Sequence, residues 1–210
     1  MQSSDIAMDA HFPSFVCRHQ IAQSASLNPA LLRYILAERA NDGAGLQASN
    51  VAALGGWRSR NSLHKEEVFA PLVDAIHGVA ETIASKLDYH PGAKLKIDQM
   101  WAMANPPGAF NRNHQHPHSL WSGVYYVQVP DNAGALAFSD PRPGNVMFCA
   151  QHRPGAVPPT EACLTVEYEP VEGTLMLFPG FLAHSVEPNL SEKAGDAALR
   201  IAISFNLTQQ

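Results

Sequence analysis

At 210 residues the chain is short enough to fold as one domain around one core. Its 46% hydrophobic content is that of a globular protein, and no stretch approaches the roughly 20 apolar residues a transmembrane helix requires. A net charge of -5, with no cluster of Lys or Arg, lacks the electrostatic footprint of a nucleic-acid or acidic-membrane binder.

The first ten residues carry acidic side chains and lack the basic-then-apolar order of a secretory signal, so a cytoplasmic location is expected. Cys17, Cys149 and Cys163 are odd in number and widely spaced, without a CxxC pair; they read as buried or semi-buried thiols. A short opening strand is expected near residues 11–18. Asn28 and Pro29 then form an N-cap followed by a first-turn proline, and Leu31, Leu32, Ile35 and Leu36 recur at helical spacing until residues 41–45. A second helix is predicted from about residue 65 to 87. Val68, Phe69, Leu72, Ile76, Val79, Ile83 and Leu87 form its apolar stripe, and Pro71 is tolerated in its first turns. Both helices are expected to buttress a sheet.

From residue 94 onward short apolar runs are punctuated by Pro, Gly and Asn, the texture of a β-sandwich or barrel. Strands are predicted at 95–105, 120–129, 135–138, 165–169, 174–178, 183–188 and 199–207. Residues 140–163 hold too many prolines for a paired strand and read as a long loop. With no internal repeat or linker, the prediction is a single domain over 1–210: an N-terminal strand and buttressing helices (1–93), then a β-core (94–210). The fold class is mainly β with flanking helices (α+β), a jelly roll or double-stranded β-helix of cupin-like shape.

The densest chemical feature is the run from Gly108 to His118, where His114, His116 and His118 alternate. In extended backbone residues i and i+2 face the same way, so His114 and His116 can offer imidazoles to one metal ion. His184, on a later strand after a Phe-Pro-Gly turn, is the candidate third ligand. Imidazole nitrogen suits iron, zinc, copper and nickel alike, so ligand type leaves the metal open. His118 is not placed in the set. The remaining histidines, His11, His19, His64, His77, His90 and His152, lack clustering and read as solvent-exposed or locally hydrogen-bonded.

The ordered set Asn105-Pro106-Pro107-Gly108, His114-x-His116, Ser122-Gly123-Val124-Tyr125-Tyr126-Val127, Gly134-Ala135-Leu136-Ala137-Phe138, Gly173-Thr174-Leu175-Met176-Leu177-Phe178-Pro179, His184 and Arg200-Ile201-Ala202-Ile203-Ser204-Phe205-Asn206 resembles the Fe(II)/2-oxoglutarate oxygenase superfamily. Within it, the set is most similar to a bacterial branch related to prolyl hydroxylases. The resemblance covers roughly residues 95–207. It implies an oxygenase of hydroxylase type with Fe(II) as cofactor and 2-oxoglutarate as co-substrate. His114 and His184 would be the usual histidine ligands, with His116 where relatives carry Asp or Glu. Three imidazoles lack that carboxylate's charge, which should make Fe(II) binding less selective against zinc or nickel.

Arg200 would hold the distal carboxylate of 2-oxoglutarate with its planar guanidinium. The hydroxyl residue common two positions later is Ala202 here, so Tyr126 is the candidate second donor; only one of Tyr125 and Tyr126 can face inward. Ser122, on the parity of Tyr126, and Asn105 are further candidates for the co-substrate pocket. The polar insertion at residues 190–197 lengthens the usual interval from His184 to Arg200, and a hairpin would absorb it. Trp57, Trp101, Trp121 and Phe181 read first as core aromatics and second as pocket walls.

Two other readings compete. Gly108 and the HxH fit the opening of a cupin motif, which would give a metalloenzyme that does not use 2-oxoglutarate; the Glu that motif needs is missing between Pro117 and Val129. A non-catalytic metal-binding jelly roll would need a fourth protein ligand to close its site. The substrate, a small molecule or a peptide, is not legible in the sequence. An edge strand able to pair across a two-fold leaves a homodimer open.

Overall fold

The computed structural model describes residues 7–49, 51–142, 150–157 and 159–210. Two antiparallel sheets face each other. The larger runs β1(Cys17–Gln20), β8(Thr174–Pro179), β5(Trp121–Gln128), β10(Arg200–Gln209), β3(Leu95–Asn105), β2(Trp57–Arg58) in spatial order; the smaller runs β4(Asn111–His114), β9(His184–Val186), β6(Leu136–Ser139), β7(Thr165–Tyr168). The neighbours in space are distant in sequence, the interleaved winding of a double-stranded β-helix.

Strand alternation divides the molecule into two apolar cores. On the outer face of the large sheet, Met100, Ala102, Ala104, Tyr125, Val127, Ile201, Ile203 and Phe205 pack with residues of α1(Ser24–Asn41) and, beyond the short α2(Gly43–Ala48), of α3(Ala70–Lys86), including Leu31, Ile35, Leu72 and Ile76. Between the sheets lies a smaller cluster of Val124, Tyr126, Leu136, Phe138, Met176, Phe178, Leu182 and Ala202. The helices supply bulk to the outer core, about 1.5–3 kcal/mol for each large apolar side chain fully buried. The inner core is left free to open into a cavity.

The segment Glu67–Lys86 is long and apolar enough, by length and composition, to cross a membrane, which the apolar-run count did not register. Its Phe69, Leu72, Ile76, Ala80 and Ile83 are buried in the outer core, as befits a helix packed on a sheet. The chain enters α3 through two 3₁₀ turns, Leu63–Lys65 and Glu67–Phe69, so the helix starts later than predicted, with Pro71 at its beginning.

Three local expectations are corrected. The opening strand is Cys17–Gln20 rather than 11–18, because only there does it pair with β8. Asn28 is not an N-cap: α1 already starts at Ser24 and contains Pro29. Its side chain turns to the sheet, where Nδ2 donates to the Val127 carbonyl at 3.0 Å and Oδ1 accepts from the Tyr125 hydroxyl at 2.5 Å. These tertiary bonds displace the capping role that local sequence suggested. An Asn28→Ala protein should therefore lose about 1–3 kcal/mol of stability, read from urea unfolding, since the buried end of Tyr125 loses its acceptor.

Residues 190–197 form no hairpin. Asn189, fully buried, closes this excursion by donating from Nδ2 to the carbonyls of Asn105 (3.0 Å) and Ala198 (2.8 Å), and the segment ends in a 3₁₀ turn, Gly195–Ala198. The short strands β2 and β4 were not among the predicted ones; a strand of two or four residues carries too little alternation to be recognised. Cys17 and Cys163 are half-buried. Cys149, and with it Pro143 and Pro158 of the predicted long loop, lies outside the described residues.

Candidate metal centre

The antiparallel pairing of β4 with β9 sets His114 directly opposite His184. Their rings stand 4.4 Å apart between centroids. Two residues on, the His116 backbone amide donates to the Gly180 carbonyl at 2.9 Å, which returns its side chain to the same side of the sheet. The His116 ring lies 5.2 Å from each of the other two and is parallel to His184 within 3°. One ligating nitrogen of each residue lies within 4.8 Å of the others. Gly180 makes this approach possible: a Cβ there would sit 2.2 Å from the Ser119 carbonyl oxygen.

The outer nitrogens identify the tautomers. Nδ1 of His114 is 2.8 Å from the Arg112 carbonyl, and Nδ1 of His184 is 2.9 Å from the Leu182 carbonyl. A carbonyl can only accept, so both Nδ1 atoms carry the hydrogen and both Nε2 lone pairs are left for the centre. His116 Nε2 meets His184 Nε2 at 3.4 Å. The His116 ring is flanked by Trp101, stacked at 6.1 Å, with the Asn206 side chain close by.

Burial pushes the imidazoles of His116 and His184 down, each to about 4; the neighbouring His114 adds to this in both, while the Leu182 carbonyl opposes it in His184. Both are neutral at pH 7, the form a metal requires. In the unfolded chain imidazoles titrate near 6.5. As pH falls, the unfolded state takes up these protons first, so the metal-free protein should lose stability between about pH 6.5 and about 4. Thermal melts of metal-free protein across that interval should show a falling midpoint, and the slope should flatten in His184→Asn.

A cavity of about 440 Å³ opens beside the three histidines, between the sheets. Arg200, Tyr126 and Asn105 line it, as do Trp101 and Asn206. Arg200 is 3% exposed, and its guanidinium meets backbone carbonyls: Nη1 donates to Ala133 and, at 2.9 Å, to Glu187, while Nη2 faces Ala109 at 3.5 Å. Among the described residues no carboxylate pairs with it. Burial brings its basicity down to about 10, which leaves it charged at neutral pH. Tyr126 points inward beside it, and its hydroxyl has no protein hydrogen-bond partner among the described residues. Burial raises that hydroxyl to about 12 against the opposing Arg200 charge, so it remains a donor.

The family model for 2OG-Fe(II) oxygenases matches residues 99–206, just over half of the chain and the stretch that holds all three histidines and Arg200. The chain belongs to this family. No curated protein matches the sequence at a significant level. Among solved structures, a Pseudomonas putida prolyl-4-hydroxylase superposes with a TM-score of 0.62 at 16% identity, covering 93% of this chain and 92% of its own. SnoN, a non-heme alpha-ketoglutarate-dependent epimerase of nogalamycin biosynthesis, gives 0.60 at 14% identity, covering 93% and 76%. AviO1 from Streptomyces viridochromogenes gives 0.55 at 15% identity, covering 93% and 90%. At these identities the likeness extends to the fold.

A 2OG-Fe(II) oxygenase uses Fe(II) and 2-oxoglutarate, and the donor set of this chain fits such an ion. Three imidazole nitrogens converge, two of the rings oriented by carbonyls, and no fourth protein ligand joins them among the described residues. Asn105 reaches the cavity wall opposite Arg200 in the β3–β10 register. Ser122 does not: it is buried behind the wall, donating from Oγ to Asn206 Oδ1 at 2.9 Å. Tyr125 faces the outer core and binds Asn28. His118 sits at the rim in a left-handed turn, φ 68°, outside the ligand cluster. Of the four aromatics weighed, Trp57 and Trp121 are outer-core residues, Phe181 is mostly exposed, and only Trp101 reaches the cavity.

Asn206 was missed by the sequence reading. Its signal was present, since it shares the inward parity of Arg200, Ala202 and Ser204 on β10. Arg58, also on the cavity wall, had no such signal.

Proposed function

We propose that His114, His116 and His184 hold the iron of this oxygenase, and that Arg200 and Tyr126 hold the distal carboxylate of 2-oxoglutarate. The reaction is a hydroxylase-type oxidation of a small molecule or peptide in the cytoplasm, without a nucleic-acid or membrane partner. With iron and co-substrate bound, the chemistry supplied is dioxygen-dependent oxidation coupled to decarboxylation of 2-oxoglutarate to succinate. The observation that carries this assignment is the buried Arg200 guanidinium, positive and without a carboxylate, in the cavity that the three imidazoles border.

The chain's own residues bind, orient and exclude. Arg200 presents a planar fork to a carboxylate, and the unpartnered Tyr126 hydroxyl adds a donor in the role that Ala202 cannot fill. Asn105 lies close enough to Arg200 along the ladder to line the same end. Ser122 acts one step removed, by fixing the Asn206 amide that lies beside His116. Val124, Leu136, Phe178, Val186 and Ala202 wall the cavity with apolar surface, which strengthens the charge interactions inside it.

Anaerobic addition of Fe(II) and then 2-oxoglutarate tests the assignment. A visible metal-to-ligand charge-transfer band is expected. Bound iron without that band, at saturating 2-oxoglutarate, would overturn it.

A further inference from the structure

Two guanidiniums line the cavity, and the proposed function uses only Arg200. Arg58 ends the edge strand β2, in register with Met103 of β3. It is half-buried, with its Cζ 4.8 Å from the centroid of the Trp101 ring. Trp101 in turn is stacked on His116, so the Arg58 charge is one aromatic ring away from a metal ligand.

The fixed partners of Arg58 are uncharged. Nη1 donates to the Ser59 carbonyl at 3.3 Å and Nη2 to Asn61 Oδ1 at 2.6 Å. Among the described residues no carboxylate lies within ion-pair distance. Asp98, the acidic residue on the cavity wall, is exposed and does not pair with it. Burial lowers the basicity of Arg58, and no acid offsets that cost. Arg60, two residues further, shows the contrast: it is more exposed and is paired with both Glu38 and Glu66.

A half-buried guanidinium with free donor capacity, held over an indole in a functional cavity, is a built receptor for an oxyanion. Arg200 already answers for the co-substrate. A cavity of about 440 Å³ falls within the usual range for small-ligand pockets, about 300–1,000 Å³, and leaves space beyond 2-oxoglutarate.

We propose that Arg58, braced on Trp101, is the specificity-determining residue for the prime substrate, a small molecule that carries a carboxylate or phosphate clamped by this guanidinium. The inference rests on the assignment of iron to the histidines and of 2-oxoglutarate to Arg200.

The test uses the wild-type holoenzyme with Fe(II) and 2-oxoglutarate and follows succinate release by NMR. The panel comprises free amino acids, hydroxy acids and phosphate monoesters, each beside its amide, methyl ester or unphosphorylated counterpart. Acids should accelerate succinate release above the unprimed rate and their neutral partners should not; whether carboxylates or phosphates do so identifies the source of the anion. Arg58→Gln should raise KM for the stimulating acid at least tenfold without raising KM for 2-oxoglutarate, and Arg58→Lys should restore part of the loss. In zinc-loaded wild-type protein the Trp101 indole N–H resonance should shift with the acid and not with its amide, a readout that needs no turnover.

Equal stimulation by neutral partners, no stimulation by any acid, or an unmoved indole resonance overturns the inference. So does an Arg58→Gln protein in which the 2-oxoglutarate KM rises instead, since Arg58 would then be holding the co-substrate. Absence of the charge-transfer band in the wild type is the separate failure of the underlying assignment, and the indole titration then decides whether Arg58 binds oxyanions at all.

Discussion

His184→Ala protein should purify without stoichiometric metal and turn over 2-oxoglutarate at least about 1,000-fold more slowly than wild type, the scale of losing an interaction on which the whole reaction depends. His184 is the most buried of the three candidate ligands. It is 4% exposed, its Nδ1 is tied to Leu182, and its ring is wedged edge-on against Phe178 at 4.6 Å. Its backbone is also fixed, as the cross-strand partner of His114. Removing its imidazole deletes one of three ligating nitrogens and leaves two, too few to hold a divalent ion firmly in an otherwise open site. The cavity left beside Phe138 and Phe178 should cost stability as well, about 1–3 kcal/mol. Metal content by elemental analysis, with circular dichroism to confirm the fold, separates the two effects. His114→Ala should lose metal equally but stability less, because His114 is exposed. If a folded His184→Ala protein keeps its full metal content, the ligand set is wrong.

The convergence of the three histidines was legible because its geometry is local. Period-two alternation puts His114 and His116 on one side, and any strand carrying His184 into the smaller sheet can complete the set. The pairing of β4 with β9 then realises it, with His114 opposite His184. The strand framework of β3 and of β5 onward was legible for a similar reason: glycine, proline and asparagine punctuate the chain wherever a strand ends, so the span of β3 was read correctly and those of β5 to β10 fell within a few residues.

What escaped the sequence was set by contacts between distant segments. Asn28 followed by Pro29 is a strong local cap signal, yet Asn28 is claimed by Tyr125 and Val127 across 97 and 99 residues of chain. Ser122 and Tyr126 share parity on β5, but a 2.9 Å bond to Asn206 keeps Ser122 behind the wall while Tyr126 reaches the cavity. Arg58 lies far from the resembling stretch and enters the site only because β2 pairs with β3 at the sheet edge. Parity states which face a residue takes, and the depth at which it meets a ligand depends on partners that no local pattern records.

Under the proposed assignment, substitution of Arg200 separates co-substrate binding from metal binding most sharply. Arg200→Met should keep its metal, because the guanidinium touches none of the three histidines, and should lose the charge-transfer band at 2-oxoglutarate concentrations that saturate the wild type. The expected rise in KM for 2-oxoglutarate is about 100-fold, or about 2.7 kcal/mol, within the range of truncating one partner of a buried charge pair. Electrostatics sets this scale. The guanidinium is nine-tenths or more out of solvent and charged, yet its protein partners are carbonyl dipoles of Ala133, Glu187 and Ala109. Such dipoles position the fork without neutralising it, so an entering carboxylate meets an uncompensated charge in a poorly screened cavity. Methionine fills most of the volume, and the freed carbonyls should cost about 1–3 kcal/mol of stability. Arg200→Lys should retain the charge and lose the fork, giving an affinity between those of wild type and Arg200→Met. Equal 2-oxoglutarate affinity in all three proteins, each with metal bound, would place the co-substrate carboxylate elsewhere in the cavity. A graded loss, mirrored by a milder one in Tyr126→Phe, would fix both donors at the end of the cavity where β10 begins.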